Sequence, residues 1–338
     1  MSSHTLRPAA AALLLLCPSA AAAAAAGQAV APRPVHTYSI VARDPATGDL
    51  GVAVQSHWFS VGALVPWAEA GIGAVATQSF VRVEYGPEGL AAMRKGEPAP
   101  AALARLVQAD DERAVRQVAM VDVSGRAGAH TGERCIQAAG HHVGQGYSVQ
   151  ANLMLDAGVW PAMAAAYEAS PGDLAERMLA ALEAAQSAGG DIRGSQSAAM
   201  LIVKGRSTGT PWKDKVLDLR IEDHPQPIRE LRRLVELWRA YERMNAGDLA
   251  VEKNDMEGAA RHYAAAEAMF PAMDEFVFWH AAALAQKGRV DEALPLFRKA
   301  FLLQPAWWLL VPRLPSSGLL PEDKSTIDRI LAAGPSAR

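Results

Sequence analysis

The chain has 338 residues, of which 50% are hydrophobic and 20% charged, and its net charge is −3. That length suits about two packed domains, and the interspersed charges form no basic stripe of the kind nucleic acid requires. The only cysteines are Cys17 and Cys135, so zinc-finger spacing is excluded and stability must come from packing rather than disulfides.

Residues 1–26 read as a secretory leader. Arg7 supplies a positive start, Ala9 to Leu16 an apolar core, and Ala20 to Ala26 a small-residue tract with several cleavage sites of the A-x-A type. The competing readings are an uncleaved anchor, weakened by Pro18 and the alanines, and a lipoprotein at Cys17, weakened by the bulky Leu16 before it. Export to the periplasm or medium, with no membrane span after cleavage, is the expectation. Cys135, the one cysteine then left, reads as a small buried apolar side chain.

After a proline-rich lead-in at 27–35, the pattern turns to strands. "TYSIVARD", the turn "PATGD" and "LGVAVQSHW" make two strands and a glycine-containing loop, and "GIGAVATQSF" supplies a third. "PEGLAAMRKG" and "APAALARLVQADDERAVRQ" carry helical spacing. Strands return in "RQVAMVDVSGRAGAHTGE", a hairpin with Ser124-Gly125 at its tip, and in "GYSVQANLML". One long helical stretch, Trp160 to Ala188, precedes the strands "GGDIRGSQSAAMLIVK" and "VLDLRIEDH". This order lacks one-to-one strand and helix alternation, so the expected class is α+β, a four-layer α-β-β-α sandwich over 36–226.

From 227 to 338 the pattern is helical and repeats. "KNDMEGAARHYAAAEAMFP" aligns with "KGRVDEALPLFRKAFLLQP" at an offset of 34 residues, pairing Ala259 with Ala293, Tyr263 with Phe297, Ala266 with Ala300 and Pro271 with Pro305. Small residues at a helix crossing, an aromatic one turn later and a closing proline are the tetratricopeptide pattern. Gly247 and Ala281 hold the small position of the preceding helices. Helices near 229–245 and 322–333 should cap the two units, with Trp307 and Trp308 packing on the open end.

Several motifs fail on context. "GIGAVA" satisfies G-x-G-x-x-A, but Val75, Thr77 and Phe80 continue a strand where a dinucleotide site needs a helix, so no cofactor is expected. "GHHVGQG" lacks the G-K-[ST] of a phosphate loop, and its His141 and His142 read as a loop pair without a role. There is no G-x-S-x-G, and "GSQSA" leads into a strand.

The strings "TYSIVARDPATGDLGVAVQS", "VPWAEAGIGAVATQ", "YGPEGL", "MVDVSGRAGAHTGERC", "GYSVQANLM" and "GGDIRGSQSAAMLIV" together resemble the bacterial family called domain of unknown function 1028, over about residues 36 to 224. The resemblance implies the fold of the N-terminal nucleophile (Ntn) hydrolases, whose layering matches the one read above, and it carries no established reaction. In that setting Thr37 becomes a nucleophile if cleavage after His36 frees its α-amine, a base with a pKa near 7.7–8.0. Its β-branch limits the hydroxyl to few orientations. The plainer reading is a β-favouring residue opening a strand. Ser39, two residues on and on the same face, is a weaker nucleophile.

Asn152 stands where such enzymes carry an oxyanion-hole amide. Ser56, Gln78, Ser79, Asp191 and Arg193 sit at predicted strand ends and are the candidate substrate-binding residues, with Asp191 and Arg193 able to pair and present a fork to a carboxylate. Arg43 and Asp44 serve the first turn. The leading expectation is an exported amide hydrolase acting on a small or peptide-like substrate, its tail binding a protein partner or roofing the site. The rival is a non-catalytic exported scaffold in which the tail does the binding. A metal-dependent hydrolase using His57, His130, His141 or His142 comes third, and no metal site is assigned.

Overall fold

β1 (Thr37–Arg43) and β2 (Leu50–Ser56) are buried along almost their whole length, which explains their nearly continuous apolar sequence. The computed structural model describes residue 1 and residues 37–334, the latter within one compact unit, Pro34–Arg338. The leader, the cleavage sites, Cys17 and the lead-in at 27–35 lie outside the described residues. The turn after β1 is set by Asp44, whose Oδ1 accepts from the N–H groups of Ala46 and Thr47 at 2.7 and 3.0 Å, and by Gly48 at φ 81°.

β3 (Pro66–Glu69) and β4 (Gly73–Ser79) form a second hairpin. α1 (Tyr85–Arg94) and α2 (Ala99–Gln108) follow, then β5 (Arg116–Asp122), β6 (Ala127–Thr131), β7 (Gly140–Gly144) and β8 (Tyr147–Ala151). The helical stretch expected as one piece is two, α3 (Val159–Ala169) and α4 (Leu174–Ser187). Pro171 cannot continue α3, Gly172 turns the chain at φ 108°, and Asp173 caps α4 by accepting from the N–H of Glu176. β9 (Ser197–Val203), the single turn α5 (Pro211–Asp214) and β10 (Lys215–Ile221) complete this part.

All strand pairs are antiparallel and lie in two sheets, β10-β9-β2-β1-β8-β7 and β3-β4-β5-β6. Alternation then assigns each face. Val41, Leu50, Val52, Val54, Ala76, Ala119 and Val121 meet between the sheets. Tyr38, Ile40 and Ala53 point outward to α3 and α4, while Val75, Val118 and Met120 carry α1 and α2. Helix, sheet, sheet and helix therefore succeed one another.

The C-terminal region is helical: α6 (Pro227–Glu252), α7 (Met256–Met269), α8 (Asp274–Gln286), α9 (Val290–Leu303), the short α10 (Ala306–Leu310) and α11 (Lys324–Ala332). α6 and α8 end, and α7 and α9 begin and end, at the offset of 34 residues seen in the sequence. Ala259, Tyr263 and Ala266 are buried, as are Ala293, Phe297 and Ala300. Gly247 admits the ring of Tyr263 so closely that a Cβ there would lie 2.5 Å from Cε1. Trp307 stacks on Phe278 at 4.3 Å, and Trp308 donates to Leu331 O at 3.0 Å.

α6 belongs to two cores. Ile228, Leu231 and Val235 pack with α4 and the outer face of the larger sheet, whereas Ala240 and Met244 pack with α7. Arg232 and Arg239 fasten this helix to α4 through Glu176, Glu183 and Asp173.

Candidate active site

The apolar layer between the sheets gives way at one end to polar side chains, all fully buried: Thr37 and Ser39 from β1, Ser56 from β2, Gln78 from β4, Gln117 from β5, and Ser148, Gln150 and Asn152 on and just after β8. A polar group at such a depth costs free energy unless bonded, so these side chains must satisfy one another.

They do so as one network. Thr37 Oγ1 donates to Ser56 Oγ at 3.2 Å. The Thr37 carbonyl accepts from the Asn152 backbone N–H at 3.1 Å, from Gln78 Nε2 at 3.2 Å and from Asn152 Nδ2 at 3.5 Å. Ser39 Oγ donates to Gln78 Oε1 and accepts from Gln150 Nε2, both at 2.6 Å, and Ser148 Oγ donates to Gln150 Oε1 at 3.0 Å. Gln117 is the hub. Its Oε1 accepts from Gln78 Nε2 at 2.6 Å and Asn152 Nδ2 at 2.8 Å, while its Nε2 faces Thr131 Oγ1, Gly140 O and Ala151 O. With both amides donating to one oxygen, neither can flip without losing a bond.

Of the residues chosen from sequence, Thr37, Ser56, Gln78 and Asn152 thus come together, with Ser39 on the same face. Asp191 and Arg193 pair in the loop before β9, Arg193 Nε and Nη2 lying 3.0 and 2.6 Å from the carboxylate. That loop is not the strand expected; only Asp191 makes a bridge, to Met154. It joins the same end of the sheet, since Asp191 Oδ2 accepts from the His57 N–H at 3.3 Å and Gln196 N donates to Ser56 O at 3.1 Å. Ser79 stands apart. Alternation turns it away from Gln78's partners, its φ is 69°, and its buried hydroxyl lies toward Cys135 instead. Near it, Cys135 is buried and donates to Arg116 O at 3.3 Å, and burial pushes its thiol pKa up.

Gln117, Gln150, Ser148 and Thr131 were not singled out from sequence. The available signal was "YSVQAN", where Ser148, Gln150 and Asn152 recur at every second position of a strand. His141 and His142 lie on the edge strand β7 rather than in a loop, and His141 Nδ1 is 2.8 Å from Thr131 Oγ1. Burial lowers the pKa of His141. His130 Nε2 lies 2.8 Å from Arg113 O. Among the described residues no group of three or more His, Cys, Asp or Glu side chains is arranged to hold a metal ion, and no helix is long and apolar enough to cross a membrane.

The model of a family described as a family of unknown function (DUF1028) matches residues 37–231, so the match opens on Thr37. The crystal structure of protein SPO2555 from Silicibacter pomeroyi, assigned to the same family model, is 33% identical with a TM-score of 0.54, covering 64% of this chain and 89% of that one. No curated protein matches the chain.

Proposed function

This chain belongs to the family of unknown function DUF1028, and from that premise we propose that it is an exported Ntn-type amide hydrolase whose mature form begins at Thr37. The observation that carries the reading is the junction at Thr37. The first residue of a central strand has its hydroxyl on the inter-sheet face beside Ser56 and its carbonyl gripped by Gln78 and Asn152. Family membership comes without a reaction, so the chemistry must be argued from these groups.

A threonine hydroxyl needs a base, and Ser56, which accepts from Thr37 Oγ1, is itself a neutral hydroxyl. Cleavage after His36 would create it: the freed α-amine, with a pKa near 7.7–8.0, is largely neutral at mild alkaline pH and lies on the same residue. Thr37 Oγ1 then attacks the substrate carbonyl carbon and passes its proton to the amine. Asn152 Nδ2, held by Gln117, is read as the oxyanion donor, giving up its long 3.5 Å contact with the Thr37 carbonyl for that bond. The C–N bond breaks as the leaving amine takes the proton, and water hydrolyses the Thr37 ester in a second round. Arg193, oriented by Asp191, is read as the group meeting a substrate carboxylate. The test is a panel of acyl-amino acids, peptides and simple amides incubated with the mature chain and with Thr37→Ala. Turnover abolished by that variant supports the reading, and equal turnover removes Thr37 from the mechanism.

The 34-residue offset of the helix ends supports reading α6–α9 as tetratricopeptide-like, and the apolar run from Ala9 to Leu16 before the small-residue tract supports reading residues 1–26 as an export signal. A second reading, a non-catalytic exported scaffold, is favoured by the complete burial of Thr37 in the intact chain. In that case the polar network is purely structural and the tail is the working part.

A further inference from the structure

The tail holds a cavity of about 510 Å³ between α6, α7 and α8, closed on one side by Gly318 and Leu319. That volume lies within the ordinary range for ligand sites. Its walls are unusual in charge. Tyr241, Tyr263 and Trp279 line it together with Asp248, Glu252 and Glu275, and none of the lining residues is basic. Nor do these three carboxylates form an ion pair anywhere among the described residues.

The aromatic rings are held in place. Tyr263 OH donates to Asp248 Oδ1 and Tyr241 OH to Glu275 Oε2, each at 2.7 Å. Tyr241 also packs edge-on against the buried Phe276 at 5.0 Å, and Tyr263 lies 4.8 Å from the ring of His280. Fixed aromatic faces attract a cation through their quadrupoles, and three uncompensated carboxylates around one concavity focus a negative potential into it. Their mutual repulsion is a cost to the fold that a cation in the cavity would offset. An anionic ligand would instead be repelled.

We propose that this cavity binds a basic peptide segment, a lysine or arginine side chain entering between Tyr241 and Trp279 with its charge against Asp248, Glu252 and Glu275. The volume and the apolar part of the lining, including Met244 and Val251, suit a side chain with an aliphatic stem, which buries its methylenes while its head meets the carboxylates. This site is independent of Thr37 and its chemistry.

The experiment uses the full chain and two fluorescein-labelled hexapeptides, Ala-Lys-Leu-Lys-Ala-Ala and its counterpart with glutamates in place of lysines, followed by fluorescence anisotropy. The expected result is saturable binding of the lysine peptide, weakened about tenfold by raising the salt from low to physiological strength, and no binding of the glutamate peptide. The combined change Asp248→Asn, Glu252→Gln and Glu275→Gln should weaken the lysine peptide by about tenfold or more. Because two of these carboxylates also hold tyrosines, Glu252→Gln alone, at an exposed residue with no hydrogen bond to lose, should still give a loss of about threefold. Equal binding of both peptides, unchanged affinity in both variants, or no saturation of the lysine peptide below about 1 mM would each overturn the proposal.

Discussion

Asn152, directly after β8 in the larger sheet, donates a 2.8 Å hydrogen bond to Gln117 on β5 of the smaller sheet. This bond crosses the gap between the two sheets, and the acceptor oxygen is shared with Gln78. The orientation of both amides, and through them the grip on Thr37, therefore depends on one side chain that touches Thr37 nowhere in the network.

Removing that side chain should be costly for a stated reason. Gln117→Leu strands the Asn152 donor and weakens Gln78, and it leaves Thr131 and two carbonyls without their amide. Buried groups left unbonded cost about 1–3 kcal/mol each, partly relieved by relaxation, so a loss of about 3 kcal/mol is expected in urea unfolding. Ser148→Ala, at the outer end of the network with one side-chain bond, should cost about 1 kcal/mol. Equal losses for the two variants would mean that Gln117 is no hub.

The shared helix makes a truncation prediction. Ending the chain before Ile228 removes Ile228, Leu231 and Val235 from the outer face of the larger sheet. At about 1.5–3 kcal/mol for each buried aliphatic side chain, the loss approaches the whole stability of an ordinary domain. A chain ending at residue 227 should aggregate on expression, while one ending at Glu252, which keeps α6, should stay soluble. Solubility and circular dichroism of the two products distinguish the outcomes.

The fastening of α6 to α4 should depend on pH. Burial by itself raises the pKa of Glu176, but hydrogen bonds from Arg232 at 3.0 Å and Arg239 at 3.1 Å outweigh it and hold the carboxyl below its ordinary value of 4.5. A carboxyl whose native pKa is lowered contributes stability above its unfolded pKa, and that contribution is lost as the pH falls through the native value. Glu176→Gln should therefore cost about 1 kcal/mol at pH 7, and the gap from the parent should close as denaturation is repeated in steps downward from pH 4.5. A gap that persists at the acid end would assign the effect to packing instead.

Gly247 offers a test of the helical repeat. Alanine gains up to about 1 kcal/mol of helix propensity over glycine. Against this, its Cβ would stand 2.5 Å from a ring that Asp248 anchors by its hydroxyl, and overpacking of this kind costs about 1–3 kcal/mol. The clash should win, so Gly247→Ala should speed hydrogen exchange in α6 and α7 relative to α8 and α9, where Ala281 already holds the equivalent position.

Much of this architecture is legible in the residues, and the remainder is hidden for identifiable reasons. Alternation alone puts Ser39 on the face of Thr37, and the offset pairing Tyr263 with Phe297 reappears in the helix ends. What a single strand's pattern does not reveal is which strand of the other sheet it faces, so Gln117 gave no sign of meeting Asn152. β3 is only four residues long, and β7 carries two histidines and three glycine or valine positions, so neither shows a strand's alternation. The split between α3 and α4 was written in "SPGD", a proline, a glycine and a cap in succession. α6 runs through both cores, and its periodicity is uninterrupted because the partner changes while the helix does not.

Intact mass together with amino-terminal sequencing of the chain expressed with its leader reads directly whether the bond between His36 and Thr37 is cut. The form that turns over an amide should begin at Thr37. An active, folded chain that still carries residues before Thr37 would contradict it.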